Sequence, residues 1–246
     1  MTAVLRWTAR IHKWLALFVG IQIVLWVAGG AVMSLLDIDR VHGDHHAAPP
    51  PVVDLGIADA IPVARAVEAA GLSGPVRSVT LMPWLGRAVY QVETYAGDSA
   101  LVDAHGGERL TPISEEMAIA LAEAFHLGDL PAQSVDYLEA ATTEYRGAPL
   151  PAWRVNFDDG DGTSLYYGAE TGLLTSRRND EWRLFDFFWM LHIMGYQDRD
   201  DFNTVWLQGF ALFSLVTVFA GLLLLFIRMR RSLLVALNQA QAKPRT

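Results

Sequence analysis

The two ends of this chain are long, apolar and free of charge. Trp14 to Leu36 is 23 residues without a formal charge, and Asn203 to Ile227 is 25 more. About 20 apolar residues suffice to cross a bilayer core as a helix, so each run is expected to span. The first run has a competing reading as a signal peptide, because Arg6, Arg10 and Lys13 precede it. Its apolar stretch exceeds the roughly 7–15 residues of a signal core, so an uncleaved anchor is expected. Charge then sets the orientation. Residues 1–13 carry three basic and no acidic side chains, and residues 228–246 carry five basic and no acidic ones. All 27 acids therefore fall in 37–202 with 11 arginines, a net of −16 for that segment. Basic flanks stay in the cytoplasm, which puts both termini inside and the middle outside.

Composition excludes several classes. With 52% hydrophobic residues the chain has ample apolar surface to fold. With no cysteine, it cannot hold disulfides, Fe–S clusters or thiolate zinc. A net charge of −8 argues against nucleic acid as a partner.

The middle reads as a doubled α+β module. Ile57 to Ala70 has helical periodicity and ends at Gly71. Strand-like runs follow at 76–81, 88–95 and 100–103, with turns at Trp84-Leu85-Gly86 and Ala96-Gly97-Asp98. Alternation along 89–94 predicts a sheet with one covered face. A second helix is expected over 114–126 with Ser114 as its N-cap. Strand-like runs recur at 134–141, 153–157 and 164–167. The Ala-Ala-Pro-Pro-Pro-Val run at 47–52 reads as an extended stalk.

The second unit, from Leu150-Pro151-Ala152-Trp153-Arg154-Val155 through Tyr166-Tyr167-Gly168-Ala169-Glu170-Thr171-Gly172-Leu173, resembles a PepSY module. Arg10-Ile11-His12-Lys13-Trp14-Leu15-Ala16-Leu17 resembles the opening helix of PepSY-associated transmembrane proteins, as does Asp186 to Tyr196 feeding the last span. The expected organisation is a cytoplasmic N-terminus (1–13), a transmembrane helix (14–36) and a juxtamembrane linker (37–56). Two PepSY-like helix-plus-antiparallel-sheet units (57–112 and 113–180), an interfacial amphipathic segment (181–202), a second transmembrane helix (203–227) and a cytoplasmic tail (228–246) complete it. The resemblance implies a bacterial inner membrane with the α+β domain in the periplasm. Larger relatives include haem-b reductases of ferric siderophores, but this chain has two spans and no nucleotide fingerprint.

The chemistry rests on seven histidines. If haem b is the cofactor, His12 and His192 are the candidate axial ligands. His12 to Leu36 is 24 steps, roughly 36 Å of helix, and His192 lies toward the other face. One chain cannot then put both on one haem: at the inner face His12 would need a second copy or a partner membrane subunit, and at the outer face His192 could pair with His42, His45 or His46, or with the His192 of a second copy. His42, His45 and His46 form the densest cluster and are candidate metal ligands, although Gly43 argues against a helix that would converge them. His105 and His126 read as structural, and Asp158-Asp159-Gly160-Asp161-Gly162 as a hairpin turn that fails the EF-hand frame. No G-x-S-x-G or H-E-x-x-H is present, and no catalytic residue is identified. The leading expectation is a haem-b-associated component of iron acquisition, reducing a ferric chelate, or of transmembrane electron transfer. The alternatives are a non-catalytic, membrane-anchored module that binds a protein partner, and periplasmic metal binding.

Overall fold

A computed structural model describes residues 3–49, 52, 54–128, 130–196 and 203–241; the side chains of 3–12, of 15 and of much of 220–241 lie outside that description. In chain order the helices are α1 (Ala3–Leu35), α2 (Ile38–Val41), α3 (Val63–Ala70), α4 (Glu115–Phe125), α5 (Asp180–Ile193) and α6 (Val205–Gln241). The strands are β1 (Val76–Trp84), β2 (Arg87–Thr94), β3 (Ser99–Asp103), β4 (Ser134–Leu138), β5 (Ala152–Asn156), β6 (Ser164–Gly168) and β7 (Leu174–Arg178). Short 3-10 turns occupy Asp44–His46 and Ile57–Asp59. The chain forms two compact units, one from its two ends (up to Leu35 and from Phe187) and the other from Leu36–Asp186.

The unit of the two ends is helical. Phe18 of α1 meets Phe210 of α6 with ring centroids 5.5 Å apart, and Val19, Gln22 and Ser214 are buried. Gly29 lies against Phe188, where a β-carbon would make ordinary contact at 3.6 Å. Among the described residues, most large apolar side chains of α1 and α6 face outward, including Val24, Val27, Trp206 and Phe219. Among the described residues, only Ala16–Leu35 is long and apolar enough to cross a membrane, as an anchor or a signal sequence does. The described apolar stretch of α6 is shorter, Val205–Phe219. The rest of the expected second span, 220–227, includes side chains outside the described residues.

The other unit is α+β, with two antiparallel meanders in the orders β1-β2-β3 and β4-β5-β6-β7. The β1–β2 hairpin turns on Leu85 (φ 46°) and Gly86 (φ 72°), the two left-handed residues that a tight primed turn requires. Helix α3 covers one face of the first sheet: Ala66 and Ala70 pack on Ala88, Tyr90, Val92, Ala100 and Val102. Small side chains at that contact let helix and sheet approach closely. Helix α4 covers the second sheet in the same way, with Ala118 and Ala122 against Val155, Leu165 and Tyr167. Ser114 caps α4 as expected, accepting from the Met117 amide at 3.3 Å.

Two expectations change. The first sheet has two covered faces, because Val89 and Leu101, pointing away from α3, join the core of the second module. The modules therefore share one core. Trp84 Nε1 donates to Gly172 O (2.8 Å) and Trp153 Nε1 to Ile113 O (3.0 Å), tying each module's loop to the other module or to the link between them. The fourth strand of the second sheet, β7, was not marked by its sequence. Leu-Thr-Ser-Arg-Arg is polar, as an edge strand is allowed to be.

Candidate metal centre

The segment after residue 36 is not a loose stalk at its start. Asp37 caps α2 by accepting from the Asp39 amide, and Gly43 (φ 72°) turns the chain into the 3-10 turn of Asp44–His46. Three clamps hold this stretch: Arg40 to Glu181 at 2.7 Å, Asn179 Nδ2 to Arg40 O at 2.7 Å, and Arg177 to Asp44 at 2.7 Å. The backbone then zips onto the end of α4. Ala48 N donates to Phe125 O (2.7 Å) and Leu127 N to His46 O (2.8 Å), with Ala47 bridged antiparallel to His126. Of the rest of the expected stalk, Pro50 and Pro51 lie outside the described residues.

That zipper places His46 beside His126, their rings stacked at 5.2 Å. His126 ends α4, its ring stacked on Phe157 at 4.4 Å and its side chain 1% exposed. The β5–β6 turn supplies the counterpart. Asp159 Oδ1 accepts from the amides of Asp161 (3.0 Å) and Thr163 (3.2 Å). Its Oδ2 is thereby aimed at His126 Nε2 (3.0 Å) and His46 Nε2 (3.6 Å). Asp161 Oδ2 lies 2.9 Å from His46 Nε2 and 3.1 Å from His45 Nε2. Three imidazoles and two carboxylates thus converge, and the donor atoms form two triads that share His46, each within 4.8 Å.

The electrostatics favour a cation. Burial alone would raise Asp159, yet hydrogen bonds from Thr163, His126 and the turn amides hold it well below the usual carboxylate range. Hydrogen bonds from His45 and His46 lower Asp161 as well. Asp159, whose side chain is 2% exposed, is therefore a buried anion, and such a charge needs a positive partner. Adjacent donors on one ion with bonds of about 2.1 Å stand about 3.0–3.4 Å apart. The His–Asp separations of 2.9–3.6 Å bracket that spacing, and all the donors of each triad lie within 4.8 Å of one another. The donor set suits a borderline divalent metal such as zinc, iron(II) or copper(II). The Nδ1 atoms of His45 and His126 are buried without a hydrogen-bond partner among the described residues, so the Nε2 atoms, which face the carboxylates, are the ones that would ligate, an ion then replacing their protons.

Of the histidines expected to ligate metal, His45 and His46 join the cluster and His42 does not. His42 caps α2 and lines a cavity beside β7. His126, Asp159 and Asp161 were assigned structural roles from sequence. The signals for them were two carboxylates spare in a turn and a histidine at a helix end, and neither points to the other without the fold. The haem candidates belong to the helical unit. The side chain of His12 lies outside the described residues. His192 lies beside Trp26 with ring centroids 6.4 Å apart, its Nδ1 buried without a hydrogen-bond partner. Trp26 is 14 residues beyond His12 along α1, roughly 21 Å of helix. The described part of the helical unit therefore offers haem one imidazole, not the pair. No family model, curated protein or solved structure matches this chain, so the metal centre stands on its own geometry.

Proposed function

We propose that this chain is a membrane-tethered metal-binding protein. Helices α1 and α6 hold it in the bilayer with both termini cytoplasmic. The α+β body lies on the opposite side, periplasmic in a bacterial inner membrane, and takes up one divalent transition-metal ion. The observation that carries this reading is the convergence of His45, His46 and His126 on Asp159 and Asp161. The outward-facing apolar side chains of α1 and α6 support the tether, because a soluble protein rarely leaves so large an apolar surface in water. The basic ends and acidic middle support the orientation. The site is graded. His126 and Asp159 are sealed, whereas side chains of His45 and Asp161 are 27% and 40% exposed. A sealed half gives affinity and an open half gives access, which suits capture and hand-over better than a closed structural ion.

The test is metal content of the full chain in mild detergent after loading with zinc and dialysis. About one equivalent is expected in the wild type and in His42→Ala, and His46→Ala and His126→Ala should each lose it. Less than about a tenth of an equivalent in the wild type, or full retention in both variants, would sink the proposal.

A second reading rests on His192, whose buried Nδ1 lacks a partner in an apolar setting. Two copies of the chain, or a partner subunit, would supply the second imidazole for haem b. Oxidised and reduced absorption spectra decide this reading: a Soret band lost in His192→Ala supports it, and a colourless protein from haem-supplied cells removes it.

A further inference from the structure

The second sheet ends on β7, an edge strand. All five of its residues, with His42, Phe125 and Trp182, line a cavity of about 500 Å³, a volume typical of small-molecule sites. Two arginines stand in its wall, and they are not equivalent. Arg177 is neutralised by Asp44 at 2.7 Å and lies over the Phe125 ring. Arg178 lies over the Trp182 ring, 4.0 Å from its centroid. Its guanidinium donates to Glu144 O (2.7 Å), Arg177 O (2.7 Å) and Ser176 Oγ (3.4 Å), all neutral acceptors.

Among the described residues, no carboxylate lies within the 4.0 Å of an ion pair with Arg178. Tyr166, Asp186 and Glu144 act on it only from a distance, and both carboxylates are engaged by other arginines: Arg146 holds Asp186 and Arg183 holds Glu144. Burial outweighs their distant pull and lowers Arg178 from the usual guanidinium value. A desolvated cation without a counter-ion is costly. The group has five N–H donors and spends three on the bonds above. The arrangement is a guanidinium placed over an aromatic ring, with donors to spare, in the wall of a cavity that Phe125, Leu174 and Trp182 line on its apolar side and His42, Thr175, Ser176 and Arg177 on its polar side.

We infer that this cavity binds a small organic oxyanion, a carboxylate or phosphate group on an apolar body, with Arg178 as its anchor. The planar fork matches an oxyanion edge-on, and Phe125, Leu174 and Trp182 take the apolar body. Ser176, on the same strand, adds a hydroxyl. The site needs no metal at the histidines, so its test is separable from that of the metal centre.

The test is calorimetric titration of the metal-stripped full chain in detergent at low ionic strength. The probes are benzoate, phenyl phosphate, inorganic phosphate and the neutral analogue benzyl alcohol. Saturable 1:1 binding of benzoate or phenyl phosphate is expected, and the stronger of the two identifies the headgroup. Benzyl alcohol should bind at least about tenfold more weakly, as should the anion to Arg178→Lys, which keeps the charge and loses the fork. Ser176→Trp, which fills the cavity and keeps the Arg178 bonds to the Glu144 and Arg177 carbonyls, should abolish binding while zinc content stays at the wild-type level. Inorganic phosphate matching phenyl phosphate would overturn the apolar half of the inference. No saturable binding of either aromatic anion, equal binding of benzyl alcohol, or wild-type affinity in both variants would overturn it entirely.

Discussion

The two modules of the α+β unit follow one plan, a short helix laid on an antiparallel meander, yet they finish their corners differently. In the first, α3 ends on Gly71 in a left-handed cap, and Arg109 Nη1 donates to the freed carbonyl of Ala70. The hairpin between β2 and β3 closes through Gly97 and Asp98, with the Asp98 amide bound to Thr94. In the second, α4 ends on His126, and the equivalent hairpin between β5 and β6 closes through Asp158–Gly162. The sheets and helices of the two modules do the same packing. The second module's corners carry a histidine and two carboxylates where the first module's carry a glycine and a turn. The proposed metal ligands therefore sit in caps and turns, away from the helix–sheet contacts that the two modules have in common.

The largest expected effect removes what only the second module has. Zinc at about 100 times its dissociation constant should stabilise the wild type by about 2.7 kcal/mol, read as a rise in melting temperature of the full chain. His126→Ala should abolish that rise and also lower the metal-free melting point, because it strips a hydrogen bond from the buried Asp159 carboxylate. The matching change in the first module, Arg109→Ala, should leave the zinc response intact. A zinc response that survives His126→Ala would place the metal elsewhere.

The next effect tests whether the modules stabilise each other. Trp84 is 6% exposed and its indole N–H reaches the Gly172 carbonyl. Trp84→Phe should cost about 1–3 kcal/mol, by orphaning a buried carbonyl and opening a small void. If the modules melt in two separate transitions in this variant and in one in the wild type, the shared core is what couples them. If the wild type already melts in two steps, the coupling is weak.

The helix–meander plan was legible because it depends on local pattern. The apolar spacing over the second half of 57–70, the Ser114 cap and the turns at Leu85-Gly86 and Gly97 each announce themselves within a few residues; the first half is not helix but a 3-10 turn at Ile57–Asp59, because Pro62 precedes the helix and sets its start at Val63. Strand β7 escaped because Leu174 to Arg178 is half-buried and polar, and its pairing with β6 is a tertiary fact. The metal centre was half legible. His45 and His46 are adjacent and draw notice, but their partners Asp161, Asp159 and His126 are about 80 to 116 positions away. Nothing short of the backbone zipper between 46–48 and 125–127 brings them together. The second covered face of the first sheet was hidden for the same reason. Val89 and Leu101 are ordinary strand residues until the other module is laid against them.

Glycines sharpen the contrast at smaller scale. Gly71 and Gly172 have nearly the same left-handed φ, 61° and 63°. A β-carbon on Gly71 would meet nothing closer than Arg109 Nη1 at 3.8 Å, whereas on Gly172 it would lie 2.7 Å from Leu101 Cδ1. Gly71→Ala should then cost only the backbone strain, about 1 kcal/mol. Gly172→Ala adds a clash inside the core shared by both modules and should cost about 1–3 kcal/mol more. Urea midpoints of the two variants measure the difference, and equal costs would mean that Leu101 yields freely.

The smallest effect is a pH dependence, again with one member in each module. Burial would raise Glu144, but the Arg183 guanidinium, at 2.9 Å and 3.1 Å, and the Tyr166 hydroxyl hold it below the usual carboxylate range. Asp103 is likewise lowered against the opposing effect of burial, by the amides of Gly106 and His105. A carboxyl depressed in the folded state prefers that state when ionised. Its contribution is therefore full above the unfolded value, near about 4.3 for Glu and about 3.9 for Asp, and is lost as pH falls through the folded value. Glu144→Gln should cost about 1 kcal/mol at neutral pH and nothing once wild-type Glu144 is protonated, so the two unfolding curves should converge in acid. Asp103→Asn should show less, because an amide oxygen still accepts from the two backbone N–H groups that hold the turn. A cost of Glu144→Gln that is the same at pH 7 and in acid would mean that the residue acts through packing and not through its charge.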